Sequence, residues 1–273
     1  MTPAINQVCS LNSPFERDIE DYAAGRCPAI ELWLGKLERY LENHSPDDVR
    51  RLLDHQGMTA PVASFQGGLL VSQGDARREH WEHFSRRLTL LRELEVGTLV
   101  VACDVVGPLG QEDLERVQAS LTLAAARAGE QGIRLALEFQ ASATFGNNLQ
   151  TAAALISEAG SPHLGICLDV FHFYAGPSKA EDLAYLSRKN LFHVQLADIA
   201  SVPREFASDA DRILPGDGDF QLQPLLDALR AIGYEGHVSL ELMNPQIWQV
   251  PARQFGEIGM TALRTLLGQA SMG

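Results

Sequence analysis

Four side chains that can donate oxygen to a metal ion lie at the ends of separate strand-like segments. The segments read LALEF, LGICLDV, LFHVQLAD and HVSLELM, and their candidate ligands are Glu138, Asp169, Gln195 and Glu241. Three carboxylates and one amide carbonyl form an all-oxygen set, which suits Mg²⁺ or Mn²⁺ better than zinc. The chemistry that this set predicts is activation of a substrate carbonyl by one divalent ion.

The apolar surroundings of these carboxylates favour a shared role. A carboxylate at the end of an otherwise apolar strand is costly unless it is paired or bound to a metal. Separate salt bridges or helix caps are the alternative explanation. In proteins that alternate strands and helices, however, the carboxyl ends of parallel strands meet at one mouth, and catalytic groups lie there. We therefore expect one metal site.

Gln195 has a competitor two residues earlier. His193 points to the same face as Gln195 in a regular strand, because side chains alternate with a period of two. We prefer Gln195 as the ligand and His193 as a hydrogen-bonded neighbour one layer deeper in the core. The reverse order remains open at this stage.

Eight apolar segments alternate with helical patterns and predict the elements that position these residues. The predicted strands are 4–10, 29–34, 60–65, 98–103, 133–139, 164–170, 191–197 and 237–242. The predicted helices are 45–55, 76–95, 111–131, 148–159, 180–189, 221–232 and 251–267. Near-continuous apolar strands are typical of parallel sheets. The count favours an α/β fold, a (β/α)8 TIM barrel, as a single domain over residues 1–273; an open doubly wound sheet is the alternative.

The composition excludes several classes of partner. A formal charge of −13 repels phosphate backbones, which argues against nucleic acid, against an apurinic endonuclease and against an anionic membrane surface. No apolar run reaches the length of a membrane span, and the first residues lack a secretory pattern, so we expect a cytoplasmic protein. We expect buried, reduced thiols at the four cysteines, Cys9, Cys27, Cys103 and Cys167.

Three stretches together resemble a known enzyme group. They read LDVFHFYAG, DADRILPGDGDF and IGYEGHVSLELMNPQIW, and the likeness extends along nearly the whole chain. They resemble the xylose-isomerase-like TIM barrel superfamily of sugar phosphate isomerases and epimerases, and within it the inosose (2-keto-myo-inositol) isomerases. The resemblance implies a metal held by the four residues above, with substrate contacts from His172 and Arg212. It is also compatible with a homo-oligomer.

The residue at position 195 departs from this pattern. Ketose epimerases and inosose isomerases usually carry histidine there, whereas glutamine is similar to bacterial 3-dehydroshikimate dehydratases of the same superfamily. The expected function is therefore a metal-dependent isomerase or epimerase of carbohydrate or inositol metabolism, with a dehydratase (lyase) as the alternative. A non-enzymatic sugar-binding barrel is a further alternative.

Glu138 and Glu241 are the expected catalytic residues. One glutamate removes a proton beside the metal-bound carbonyl, and the other returns a proton to the resulting enediolate. Return at the adjacent carbon isomerises, return on the opposite face epimerises, and loss of a β-hydroxyl dehydrates. No phosphate clamp is visible in the sequence, so we expect an unphosphorylated polyol or cyclitol ketone as the substrate.

Three further residues are expected to bind substrate, each with a plainer alternative. His172 could hydrogen-bond a substrate oxygen or simply pack beneath Phe171 and Phe173. Arg212 could reach a substrate oxygen or form a surface ion pair. Trp248 could wall the pocket or pack the last helix against the barrel.

Overall fold

A computed structural model describes residues 1–270, and in it strands alternate with helices. The strands are β1 (Thr2–Asn6), β2 (Ala29–Trp33), β3 (Thr59–Gln66), β4 (Thr98–Cys103), β5 (Arg134–Phe139), β6 (Leu164–Asp169), β7 (Leu191–Leu196) and β8 (His237–Leu240). The helices are α1 (Phe15–Ala24), α2 (Leu34–Leu41), α3 (Pro46–Gln56), α4 (Gly74–Glu93), α5 (Gln111–Glu130), α6 (Leu149–Ala159), α7 (Val170–Ala175), α8 (Leu222–Ala231) and α9 (Ala252–Leu267). No helix within residues 1–270 has both the length and the apolar character needed to cross a bilayer.

The eight strands follow one another in sequence order in a closed barrel. β1 pairs in parallel with both β2 and β8, with Ile5 opposite Ile30 on one side and Leu240 on the other. β5 pairs in parallel with both β4 and β6. The predicted (β/α)8 barrel is confirmed, and the open doubly wound alternative is wrong.

The chain forms two compact units, residues 1–63 with 194–273, and residues 64–193. In the first unit, Ile5, Ile30 and Leu240 are fully buried. In the second unit, Leu99 and Leu137 are fully buried. The assignment of residues 1–273 to a single domain stays a prediction.

Local hydrogen bonds decide where several elements end. The predicted strand 4–10 stops at Asn6, whose side chain accepts from the Val8 N–H at 3.0 Å and turns the chain into a 3-10 helix. The predicted helix over 180–189 is only a 3-10 helix, Ala180–Tyr185. A helix that was not predicted, α7, begins ahead of it, directly after β6. Asp169 Oδ1 accepts from the Phe171 N–H at 2.7 Å and thereby caps the start of α7.

Helix α3 begins as its sequence predicts. Ser45 Oγ accepts from the Asp48 N–H at 3.3 Å, and Asp48 Oδ2 accepts from the Ser45 N–H at 2.7 Å. This reciprocal capping box is completed by Pro46 in the first turn. The helix ends at Gly57, whose φ of 63° suits a residue without a Cβ.

All four cysteines are buried and unpaired with one another, as expected. Burial raises the pKa of the Cys27 and Cys103 thiols to about 12. Burial also raises the pKa of Cys9, and the nearby Glu241 and Glu31 carboxylates add to that effect. Thiols held in the protonated form are poor nucleophiles, so these residues serve packing.

A buried ion pair connects the turn after β1 with α1 and α2. Lys36 donates to Asp18 and, at 2.9 Å, to the Ser10 carbonyl. Ser10 Oγ donates to Asp18 at 2.7 Å. Burial raises the pKa of Asp18 from 3.8 to about 6, although the Lys36 ammonium opposes the shift. The folded protein therefore holds a proton on Asp18 at pH values where the unfolded chain has released it.

This shift predicts that the stabilising effect of Asp18 is lost as pH rises. A pKa raised on folding contributes stability below the unfolded value of 3.8, and that contribution disappears as pH passes about 6. The free energy of unfolding of the wild type should fall, relative to an Asp18→Asn/Lys36→Met variant, between about pH 4 and about pH 6. Urea unfolding across this range measures the difference. An Asp75→Asn/Arg78→Met variant removes an exposed pair as the control, and parallel curves for the wild type and the Asp18 variant would contradict the prediction.

Candidate metal centre

Glu138 is the penultimate residue of β5 and is 5% exposed. Side chains alternate along a strand, so Glu138 shares a face with Ala136 and opposes the face of Leu137. The amide of Gln140, two residues later, donates to Glu138 Oε2. The strand therefore delivers a buried carboxylate at its carboxyl end and supplies a local donor to hold it.

Asp169 and His172 are brought together by the junction of β6 and α7. Asp169 ends β6 and is fully buried. His172 lies three residues later, and the first turn of α7 returns it to the same side, with Nε2 at 3.7 Å from Asp169 Oδ2. The cap that starts α7 thus also positions the histidine beside the carboxylate.

These three residues form what we call the carboxylate–histidine cluster: Glu138, Asp169 and His172. One ligand atom from each lies within 4.8 Å of the others, and all three side chains are buried. Two carboxylates this close in a buried place repel one another, and a cation between them would offset that repulsion. The donor set fits a divalent cation, because buried carboxylate oxygens are ordinary ligands for such ions.

The hydrogen bonding of His172 identifies its tautomer. The Ala141 N–H donates to Nδ1 at 3.3 Å, so Nδ1 carries no proton. In the neutral imidazole the proton then lies on Nε2, the nitrogen that faces Asp169. In this state His172 is a hydrogen-bond donor beside the carboxylates, and Glu138 and Asp169 are the stronger candidates for metal ligands. His172 also packs edge-on against Phe171, with ring centroids 5.3 Å apart, and its role in binding substrate stays a prediction.

A second group of buried polar residues lies in the unit of residues 1–63 and 194–273. We call it the glutamine–carboxylate network: Glu31, Gln195 and Glu241, with Asn6 and Arg212 as donors. Gln195 and Glu31 are fully buried, and Glu241 is 4% exposed. Gln195 Nε2 donates to Glu31 Oε1 and to Glu241 Oε1, both at 2.9 Å. Asn6 Nδ2 donates to the same Glu241 oxygen at 3.0 Å.

Arg212 is the cation of this network. It is 1% exposed, and its Nη1 donates to Glu241 Oε2 at 3.1 Å. Its Nε and Nη2 donate to Asp209 Oδ1 at 2.9 and 2.7 Å. The alternative of a surface ion pair therefore does not describe Arg212. The guanidinium holds the Glu241 carboxylate in place, and its predicted contact with substrate remains a prediction.

Trp248 and His193 occupy supporting positions. The indole Nε1 of Trp248 donates to the Val8 carbonyl at 2.7 Å, which attaches the segment after β8 to the turn after β1. Trp248 is half-buried, and its role as a pocket wall stays a prediction. His193 is fully buried in β7. Gln195 is part of the glutamine–carboxylate network, and the preference for Gln195 over His193 as a metal ligand stays a prediction.

Glu31 and Asn6 are two buried residues of this network that the strand-end pattern does not predict. Both interrupt apolar strands, in AIELW and TPAIN, and they lie opposite one another in the register of β1 and β2. A polar residue in each of two neighbouring apolar strands was the available signal. This signal is weaker than the pattern of acidic strand ends, which lies in the second half of the chain.

Comparison with known proteins establishes the family. A family model described as xylose isomerase-like TIM barrel matches residues 23–263, and the chain belongs to that family. The inosose isomerase of Halalkalibacterium halodurans is 28% identical over 257 residues, 91% of this chain and 90% of that protein. The 3-dehydroshikimate dehydratase of Pseudomonas putida is 27% identical over 270 residues, 96% of this chain; the chain spans only 41% of that protein's length.

A solved structure supports the fold independently. The crystal structure of the IolI protein with a bound zinc atom superimposes with a TM-score of 0.92 over 99% of both chains, at 24% identity. This likeness confirms the barrel. The family match and the named relatives confirm the expectation of an enzyme.

The geometry of Arg212 predicts a large effect on stability. An Arg212→Met variant leaves the buried Glu241 carboxylate beside Glu31 without the guanidinium. We expect the free energy of unfolding to fall by about 3–5 kcal/mol, the usual cost of removing one partner of a buried pair. Urea unfolding in the presence of a chelator measures this effect without a contribution from metal binding.

An exposed arginine provides the matched control. Arg78 pairs with Asp75 at 3.0 Å, with side chains 64% and 83% exposed. An Arg78→Met variant should change the free energy of unfolding by about 1 kcal/mol or less. Equal losses for the two variants would show that Arg212 does not support Glu241.

Proposed function

We propose that this protein is a divalent-metal-dependent isomerase or epimerase of a small ketose or inosose. The observation that carries the proposal is the carboxylate–histidine cluster at the ends of β5 and β6, with ligand atoms within 4.8 Å. The inosose isomerase that aligns over about nine-tenths of both chains supports the substrate class. A cytoplasmic location and a homo-oligomeric state remain predictions.

One Mn²⁺ or Mg²⁺ is the proposed cofactor, with Glu138, Asp169, Gln195 and Glu241 as its ligands. The strand-end argument supports the full set, because barrel strands present catalytic groups at their carboxyl ends. The burial of all four side chains is consistent with it. When bound, the cation would act as a Lewis acid toward a carbonyl oxygen and make the adjacent C–H more acidic.

The protein's own groups carry the proton transfers in this proposal. Glu138 takes the proton from the carbon beside the carbonyl, which leaves an enediolate, and Glu241 in its protonated form delivers a proton to complete the product. Proton exchange with solvent then returns both glutamates to their starting states. Arg212 and Asn6 hold Glu241 in one orientation during this exchange. His172 donates from Nε2 to a substrate oxygen, and Trp248 limits the space around the substrate.

The buried cations favour an uncharged substrate. Among residues 1–270, the buried cationic side chains are Lys36 and Arg212. Lys36 pairs with Asp18, and Arg212 pairs with Glu241 and Asp209. A phosphate or carboxylate on the substrate would compete with carboxylates that already hold these groups. A polyol or cyclitol ketone would require no such exchange.

A dehydratase of the 3-dehydroshikimate type is the second candidate. Glutamine at position 195 favours it, as does the similarity to dehydratases of two Pseudomonas species at 27% and 29% identity. The same opening proton removal would serve both reactions. The two differ in whether the enediolate is reprotonated or expels a β-hydroxyl.

An assay with a substrate panel tests the proposal. Protein stripped with a chelator and reloaded with Mn²⁺ is incubated with inososes, ketoses and 3-dehydroshikimate in deuterated water. We expect conversion of a ketose or inosose with solvent deuterium at carbon, and a Glu138→Gln variant should lower the rate by about 10²–10⁴-fold. Nuclear magnetic resonance follows the deuterium, and ultraviolet absorbance detects the conjugated product of dehydration.

The matched control is Glu158→Gln, which changes an exposed glutamate in α6 and should leave turnover unchanged. Turnover of 3-dehydroshikimate alone would replace the first candidate with the second. Full activity in the chelator-treated protein, or in Glu138→Gln, would refute the metal-dependent mechanism.

A further inference from the structure

The amide of Gln195 has both of its hydrogens committed to carboxylates. A side-chain amide carries two N–H donors on nitrogen and a carbonyl oxygen on the other side of the same carbon. Gln195 Nε2 donates to Glu31 Oε1 and to Glu241 Oε1, both at 2.9 Å. A flipped amide would place its oxygen against two carboxylate oxygens, which is repulsive. The two bonds therefore determine the direction in which Oε1 points.

Glu31 is a carboxylate buried in an apolar strand. It lies in β2 between Ile30 and Leu32, and all three side chains are fully buried. Burying an ionised carboxylate costs several kcal/mol even after relaxation. A glutamine has nearly the same shape and would avoid that cost, but its amide could also stabilise the flipped orientation of Gln195.

The register of β1 and β2 places Glu31 opposite a second donor to Glu241. Asn6 in β1 lies opposite Glu31 in β2. Asn6 donates to the same Glu241 oxygen that accepts from Gln195. Glu31, Gln195, Glu241 and Asn6 therefore form one continuous chain of hydrogen bonds. Removing one carboxylate from such a chain changes which amide orientation is favoured.

We propose that Glu31 is a positioning residue that presents the carbonyl oxygen of Gln195 as a metal ligand. It thereby makes the centre selective for ions that prefer oxygen, Mn²⁺ or Mg²⁺, over Zn²⁺. This inference rests on the proposed function, because it takes Gln195 as one ligand of the proposed ion. Second-sphere residues that orient metal ligands commonly change metal affinity by about 10–100-fold.

A double-mutant cycle tests whether Glu31 acts through Gln195. Calorimetry measures Mn²⁺ and Zn²⁺ affinity of the wild type, Glu31→Gln, Gln195→Ala and the double variant, all prepared metal-free. We expect Glu31→Gln to weaken Mn²⁺ binding by about 10–100-fold and Zn²⁺ binding by less. In the Gln195→Ala background the same change should have little further effect. The visible spectrum of the Co²⁺-loaded protein should change in Glu31→Gln, because the ligand set changes.

The competing explanation is that Glu31 attracts the metal ion only through its negative charge. The double-mutant cycle separates this explanation from an effect on the orientation of Gln195. If Glu31 acted only by its negative charge, its removal would weaken both ions equally in both backgrounds, and that result would overturn the proposal. Glu31→Asp keeps the charge but withdraws the carboxylate by one methylene, so it should reproduce the loss of Mn²⁺ selectivity. It also replaces Glu31→Gln in the cycle if that variant does not fold, as judged by circular dichroism.

The outcomes also separate this inference from the proposed function. A wild type that binds Mn²⁺ and turns over an inosose, with Glu31 variants of unchanged affinity and spectrum, would refute the role of Glu31 alone. A wild type that binds none of the three ions would refute both proposals.

Discussion

The cost of burying negative charge in and directly after apolar strands is the constraint on which this structure depends. Glu31, Glu138, Asp169 and Glu241 are each at most 5% exposed. A carboxylate in such a place must find donors or a cation, or it would destabilise the fold. In residues 64–193 the donors are the Gln140 amide, which bonds Glu138, and the Phe171 N–H, which bonds Asp169. In the other unit, Glu241 accepts from Asn6, Gln195 and Arg212. In the proposed function, a bound cation would offset part of this cost.

The sequence predicted the strands well because they are nearly continuous apolar runs. β4 coincides with its predicted bounds, and six others both begin and end within two residues of theirs. The exception is β1, which was predicted over 4–10 and spans Thr2–Asn6, because the pattern of apolar residues does not reveal that Asn6 caps a 3-10 helix. Helices α1 and α2 were missed, although Phe15, Ile19 and Tyr22 give α1 a buried face at helical spacing.

The candidate site was predictable in its residues but not in its contacts. An acidic residue at the end of an apolar strand is visible in the sequence, as are Asp169 and its neighbour His172. The bond between Gln195 and Glu31 spans 164 positions, and only the folded chain shows it. The same applies to Arg212, whose acidic loop resembles a surface segment until its guanidinium is seen against Glu241.

The position of Arg212 also limits the chemistry that the family resemblance allows. The guanidinium of Arg212 donates to Glu241 and to Asp209 through Nε, Nη1 and Nη2. A substrate carboxylate would compete for the same charge, and Glu241 would lose its partner in a buried place. If Glu241 is to exchange a proton from one fixed orientation, the arginine must stay with it. This constraint supports the proposed neutral polyol or cyclitol substrate over an acid, even though Gln195 itself resembles the residue of the dehydratases.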